Sequence, residues 1–249
     1  LNSSGWIKTW REEKRMADTE QFTGFSKETL SFFRKLKRNN TKDWFDRHRE
    51  EYDRFVLEPA KAFVVAMGEK FHAESVKLRA EPKLNRSIFR IYRDTRFSPD
   101  KTPYKTHLAL YFWEGNLPRM ESSGFYVHVE PSKLFLGAGI YIFSPKQLTR
   151  FRKAVVDPDW GQDLSDIVTK ISRRKDFKLG EKHYKRIPSG FDSDHPNAEF
   201  LLHNGFHVWE ETAILEEFYS VKFVDYCWKK FKPFLPLHDW LFALSSGKI

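Results

Sequence analysis

The chain has 249 residues, 40% hydrophobic and 16% aromatic, with a net charge of +9. That length holds one large domain or two small ones, and 24 phenylalanines with 8 tryptophans supply an aromatic core. No run approaches the ~18 apolar residues of a membrane span. The lone Cys227 excludes an internal disulfide and fits a reducing, cytoplasmic compartment.

The chain opens with Lys8, Arg11, Lys14 and Arg15 balanced by Glu12, Glu13, Asp18 and Glu20, and lacks the apolar stretch of a secretory signal. Met16-Ala-Asp-Thr-Glu20 reads as a natural start, so residues 1–21 are expected to be a disordered leader, an expression remnant or an overcalled reading frame. Residues 22–244 then form a single domain and 245–249 a tail. Phe25, Thr29, Leu30, Phe33 and Leu36 recur at helical spacing, and Asn39-Asn40 closes that helix. Thr41 caps the next, which carries Trp44, Phe45, His48, Tyr52, Phe55 and Val56 as its apolar stripe. Pro59 restarts a third helix, with Ala60, Phe63, Val64, Met67 and Phe71 on one face.

Beyond Pro82 the period changes. Residues 107–113 read as a strand, and residues 124–130 alternate Phe125, Val127 and Val129 with Tyr126, His128 and Glu130. Residues 134–143 are apolar on both faces, which predicts a strand central in its sheet. Ser144-Pro145 opens a helix, Asp157-Pro158 breaks it, and Leu164, Ile167, Val168 and Ile171 make another. Asp194 is expected to cap a short helix ended by Asn204-Gly205. Phe206–Trp209 reads as a brief strand, followed by a last helix from about Thr212 that Pro233 and Pro236 limit. Short connections favour antiparallel pairing. The sum predicts an α+β fold: an antiparallel sheet covered by N-terminal, middle and C-terminal helices.

Charge is concentrated in two places. Residues 90–105 hold Arg90, Arg93, Arg96, Lys101 and Lys105 against Asp94 and Asp100. Residues 170–190 hold eight cations against Asp176 and Glu181, and the two surpluses together equal the whole net charge of +9. Two basic patches favour an anionic partner over charge spread for solubility alone. In the first patch Tyr92, Phe97 and Tyr104 lie between the cations. Arginine presents a planar fork of donors suited to carboxylate or phosphate oxygens.

This segment, Arg90-x-x-Arg93-Asp94-x-Arg96-Phe97-x-x-Asp100-Lys101-x-x-Tyr104, resembles the hallmark of a bacterial family, domain-of-unknown-function family 2461. Asn39-Asn40 with Trp44-Phe45, Gly137-Ala-Gly139, and Lys185-Arg186-Ile187-Pro188-Ser189-Gly190-Phe191 are similar to its other blocks. The resemblance runs from about Phe22 to Leu244 and implies no activity, cofactor or substrate.

The residues themselves point to a phosphate-bearing or other anionic ligand held by Arg90, Arg93, Arg96, Lys101, Tyr104 and Lys105. In an enzyme, Asp94 would be the general base or metal ligand and phosphoester hydrolysis the reaction class. Pro99 and Pro103 predict a rigid loop over 98–105, with Arg93 and Arg96 facing a cleft together with Lys101 or Tyr104. One alternative is sequence-independent nucleic-acid binding by both basic segments, which requires that they share one face. Another is a purely structural motif, with the acids pinning the loop, in a protein that acts through partner contacts. Metal chemistry has weaker support. His203 and His207 have zincin spacing, but Asn204-Gly205 breaks the helix it needs; His107 and His128 fall on adjacent strands near Asp94 and Glu130. Cys227 sits on an apolar helix and reads as a buried structural thiol.

Overall fold

The computed structural model describes residues 21–249; residues 1–20, which hold nearly all of the expected leader, lie outside it. Three helical pieces come first: α1 (Lys27–Arg38), α2 (Lys42–Arg47) and α3 (Arg49–Tyr52). Thr41 caps α2 as its sequence predicts, its hydroxyl accepting from the Trp44 N–H at 3.3 Å.

Pro59 stands in the first turn of a helix, as its sequence predicts, but no break in the chain precedes it. α3 runs through a wider π turn, Asp53–Leu57, into α4 (Glu58–Ala73). Proline has no N–H to return to the Phe55 carbonyl one turn back. The buried Thr29 hydroxyl on α1 donates to that carbonyl instead, at 2.6 Å.

A five-stranded, wholly antiparallel sheet follows, in the order β1-β2-β3-β5-β4. The strands are β1 (Leu108–Trp113), β2 (Gly124–Val129), β3 (Lys133–Ile140), β4 (Phe177–Leu179) and β5 (Phe206–Ala213). β3 is central, as its two apolar faces required. α5 (Pro145–Val156) and α6 (Pro158–Ser172) lie between β3 and β4; Asp157 caps α6 by accepting from the Asp159 and Trp160 N–H groups at 3.0 Å. α7 (Lys222–Phe231) and α8 (Leu235–Ser246) complete the chain.

Three expectations from the sequence change here. Strand β5 continues to Ala213, so no helix begins at Thr212. Pro236 opens α8 rather than ending a helix, because the first turn leaves its N–H groups unpaired in any case. The short 3-10 turn Ala198–Leu202 is preceded by Asn197, not Asp194. No helix among the described residues is long and apolar enough to cross a membrane.

The helices pack on one face of the sheet. Phe71 of α4 meets Phe112, Phe231 of α7 meets Phe125, and Phe151 of α5 meets Phe206, with ring centroids 5.1, 4.9 and 5.3 Å apart. Cys227 is fully buried there, and burial raises its thiol pKa. The same face carries one buried carboxylate. Glu210 of β5 is 4% exposed and accepts from Arg174 (Nε at 2.9 Å, Nη2 at 2.6 Å) and from Lys230 at 2.7 Å. Exchanging Glu210 for Gln leaves both cations without their counter-charge. A loss of about 3 kcal/mol is expected in urea unfolding; a loss below about 0.5 kcal/mol would place the triad among interactions of no consequence.

Candidate functional site

The signature segment is the bend of a hairpin laid along the outer edge of β1. Phe89 N–H donates to the Ala109 carbonyl at 3.0 Å and Tyr111 N–H to the Ser87 carbonyl at 2.8 Å. Nearer the tip, Arg93 N–H donates to Pro103 and Lys105 N–H to Ile91, both at 2.8 Å. The segment is therefore extended up to Arg93 and non-helical throughout 98–105, as its prolines dictate.

Asn40 ties this hairpin to the helical layer. Its side chain donates to the Tyr104 carbonyl at 2.8 Å and accepts the Tyr104 N–H at 3.0 Å. A side-chain amide can satisfy a backbone residue in this way as a neighbouring strand would. The Tyr104 ring stacks on Phe45 at 4.3 Å and is 2% exposed, so it anchors the loop instead of facing a ligand. Burial also raises its hydroxyl pKa.

Arg93 and Arg96 do not converge on a cleft. Arg93 turns inward to Asp100 at 2.5 Å and to the Thr102 hydroxyl and carbonyl. Arg96 forms a fork with Asp94, at 3.0 and 2.7 Å, in an exposed position. Lys101 donates to the Thr95 carbonyl at 2.9 Å. Asp94 is held at a pKa of about 2, first by the Arg96 side chain and then by its N–H. Asp100 is also held at about 2, first by the Thr102 N–H and hydroxyl and then by Arg93. Both acids stay charged, and both are weak bases at neutral pH. The geometry gives Asp94 an orienting role toward Arg96. Phe97, at the loop tip, is 92% exposed.

The other two motif cations behave differently. Lys105 and Arg119 both lie over the Phe89 ring, at 5.4 and 4.2 Å from its centroid. Burial, then the charges of Arg90 and Arg119, holds Lys105 below its ordinary range. Burial and Arg86 do the same to Arg119. Arg86 is the member of this group with an acid, Glu81 at 3.4 Å. Among the described residues, Arg90, Lys105 and Arg119 form no ion pair.

These cations border the sheet face opposite the helices. Alternation along β2 puts Tyr126, His128 and Glu130 on it, joined in a chain. The Tyr126 hydroxyl lies 3.0 Å from His128 Nδ1, and His128 Nε2 lies 3.2 Å from Glu130 Oε1. With Glu130 accepting from Nε2–H, Nδ1 accepts from the tyrosine, so one tautomer satisfies both bonds. His107 stacks on His128 at 4.1 Å. Phe135 of β3 and Trp209 of β5 extend the surface.

A model described as "Conserved hypothetical protein (DUF2461)" matches residues 28–240. The chain belongs to that family. No curated protein matches it. The matched span contains both the hairpin and the entire sheet face.

Sequence reasoning missed Arg119 and Phe89, which lie outside the repeating charge pattern and meet Lys105 only through the β1 edge. It also missed a Ser123–His238–Glu114 chain with links of 3.0 and 3.2 Å. Residues so far apart in sequence give no local signal. Ser123 is fully buried and His238 1% exposed, so that chain is closed to ligands and braces α8 against the sheet. His203 is buried after the 3-10 turn and His207 lies on β5; burial lowers both pKa values. Among the described residues no group of three or more His, Cys, Asp and Glu is arranged to hold a metal.

His107 makes the face sensitive to acid. Burial, then His128 and Lys105, lowers its pKa from 6.5 to about 3. Between those values the unfolded chain binds a proton that the folded chain refuses, so stability falls as pH drops through that window. His107→Phe keeps a ring against His128. In urea unfolding it is expected to lose less stability between pH 6.5 and 4 than the parent; equal losses would assign the acid sensitivity elsewhere.

Proposed function

We propose that this protein binds a phosphate-bearing anion at the β1 edge, with Arg90, Lys105 and Arg119 as the receiving cations. The observation that carries the reading is a pair of partly buried cations, Lys105 and Arg119, beside the exposed Arg90, with no carboxylate paired to any of the three. Burial disfavours the charged forms of Lys105 and Arg119, and an arriving anion would relieve both at once. Phe89, with Lys105 and Arg119 both against its ring, limits their solvation. Arg93, Arg96, Lys101, Asp94 and Asp100 serve this site indirectly, by holding the hairpin that carries Arg90 and Lys105.

If phosphoester chemistry occurs, the neighbouring Tyr126–His128–Glu130 chain is better suited to proton transfer than Asp94, whose basicity its Arg96 partner removes.

Tripolyphosphate tests the site because it offers charge and no rings. In titration calorimetry it is expected to bind the parent protein. Lys105→Gln and Arg119→Gln should each weaken binding about tenfold, as loss of one charge-assisted contact does. Affinity should also fall as salt rises. Unchanged affinity in a folded Lys105→Gln/Arg119→Gln double variant would overturn the proposal.

A further inference from the structure

The face beside the cation group is lined with rings from one edge of the sheet to the other. Phe89 and Tyr126 have centroids 6.1 Å apart, Tyr126 and His128 5.9 Å, His128 and Phe135 5.0 Å, and Phe135 and Trp209 5.6 Å. Every one of these residues is only partly buried. Lys178 of β4 then lies 4.5 Å over the Trp209 ring. Lys105 and Arg119 mark one end of this strip and Lys178 the other. One cation of each basic segment, Lys105 and Lys178, therefore flanks the same aromatic path.

The far end continues into an open groove of about 510 Å³, lined in part by Lys133, Lys175 and Lys178. Glu211 pairs with Lys133 at 2.5 Å and lies 3.6 Å from Lys178, and Asp176 also lines the groove, so the two acids offset the three lysines only in part. Gly137 stands between Tyr126 and Trp209 in the cross-strand row and puts no side chain on the face. A Cβ there would come within 2.7 Å of the Val208 carbonyl oxygen, so the gap between the rings is enforced by the backbone.

We infer that the ligand is a single-stranded nucleic acid, its bases stacked on the Tyr126–Phe135–Trp209 strip and its phosphates met by Lys105 and Arg119 at one end and Lys178 at the other. The inference rests on the phosphate site proposed above and names its ligand class. Rings spaced along a sheet face offer stacking to any base, and flanking cations track the backbone. Five strands at roughly 4.8 Å spacing span about 19 Å, comparable to sheets that stack two or three bases. A duplex hides its bases from such a surface. An apolar peptide would leave the cations at both ends uncompensated.

Three labelled probes separate the outcomes: a short oligothymidylate, an abasic strand with the same backbone, and tripolyphosphate. In fluorescence anisotropy the oligothymidylate is expected to bind at least about tenfold more tightly than the abasic strand. Trp209→Ala and Phe135→Leu should each weaken oligothymidylate about tenfold while tripolyphosphate affinity stays unchanged. Phe135→Leu keeps apolar bulk, and circular dichroism melting checks that both variants fold. Equal affinity for the abasic strand, or full oligothymidylate affinity in both folded variants, would overturn the stacking inference and leave the phosphate site standing. Failure of all three probes to bind would remove the phosphate site and the inference with it.

Discussion

Alternation along an antiparallel strand sends successive side chains to opposite faces, and here the helices take only one of them. Phe125, Val127 and Val129 of β2 enter the core. Tyr126, His128 and Glu130 consequently emerge together on the other face, linked by two hydrogen bonds. The same rule on β5 buries Phe206, Val208 and Glu210 and leaves His207 and Trp209 partly open. Strand register then lines up Tyr111, Tyr126, Gly137, Trp209 and Lys178 across the sheet. A one-residue slip of β2 would turn its polar ring set into the helices. The core and the candidate site are thus two sides of one constraint.

The hairpin adds the charge. Its two arms are joined by backbone hydrogen bonds, its root extends β1, and its tip is held by Asn40 and Phe45 from the helical layer. Within it, acids and arginines are matched locally: Arg93 with Asp100, Arg96 with Asp94. Surface pairs of this kind contribute little to stability singly. Here they close the bend and prevent the two arginines from reaching elsewhere. What remains unmatched is at the root, where Arg90 and Lys105 meet Arg119.

This division gives the signature segment two roles. Residues 93–104 are mainly architecture, and Tyr104 is the most buried member of the motif. Phe97 is the exception: a signature aromatic at 92% exposure with no packing partner in the core, and nothing in the structure explains it. Lys105 borders the aromatic face, and with Arg90 it supplies motif charge to the proposed site.

The sequence by itself determined the fold class, the core strands and most helix starts, because these depend on periods of two and 3.6 residues and on local caps such as Thr41 and Asp157. It failed at Pro236, where a proline's effect depends on which turn of a helix receives it. It located a cation surplus at residues 90–105 and offered that segment as a candidate site. Which cations stay unmatched was decided only by tertiary structure. Arg93 and Arg96 find acids within seven residues or fewer, whereas Arg119 reaches Phe89 and Lys105 only because β1 brings them together. Charge patterns register what is near in sequence; an ion pair, and the lack of one, is settled by what is near in space.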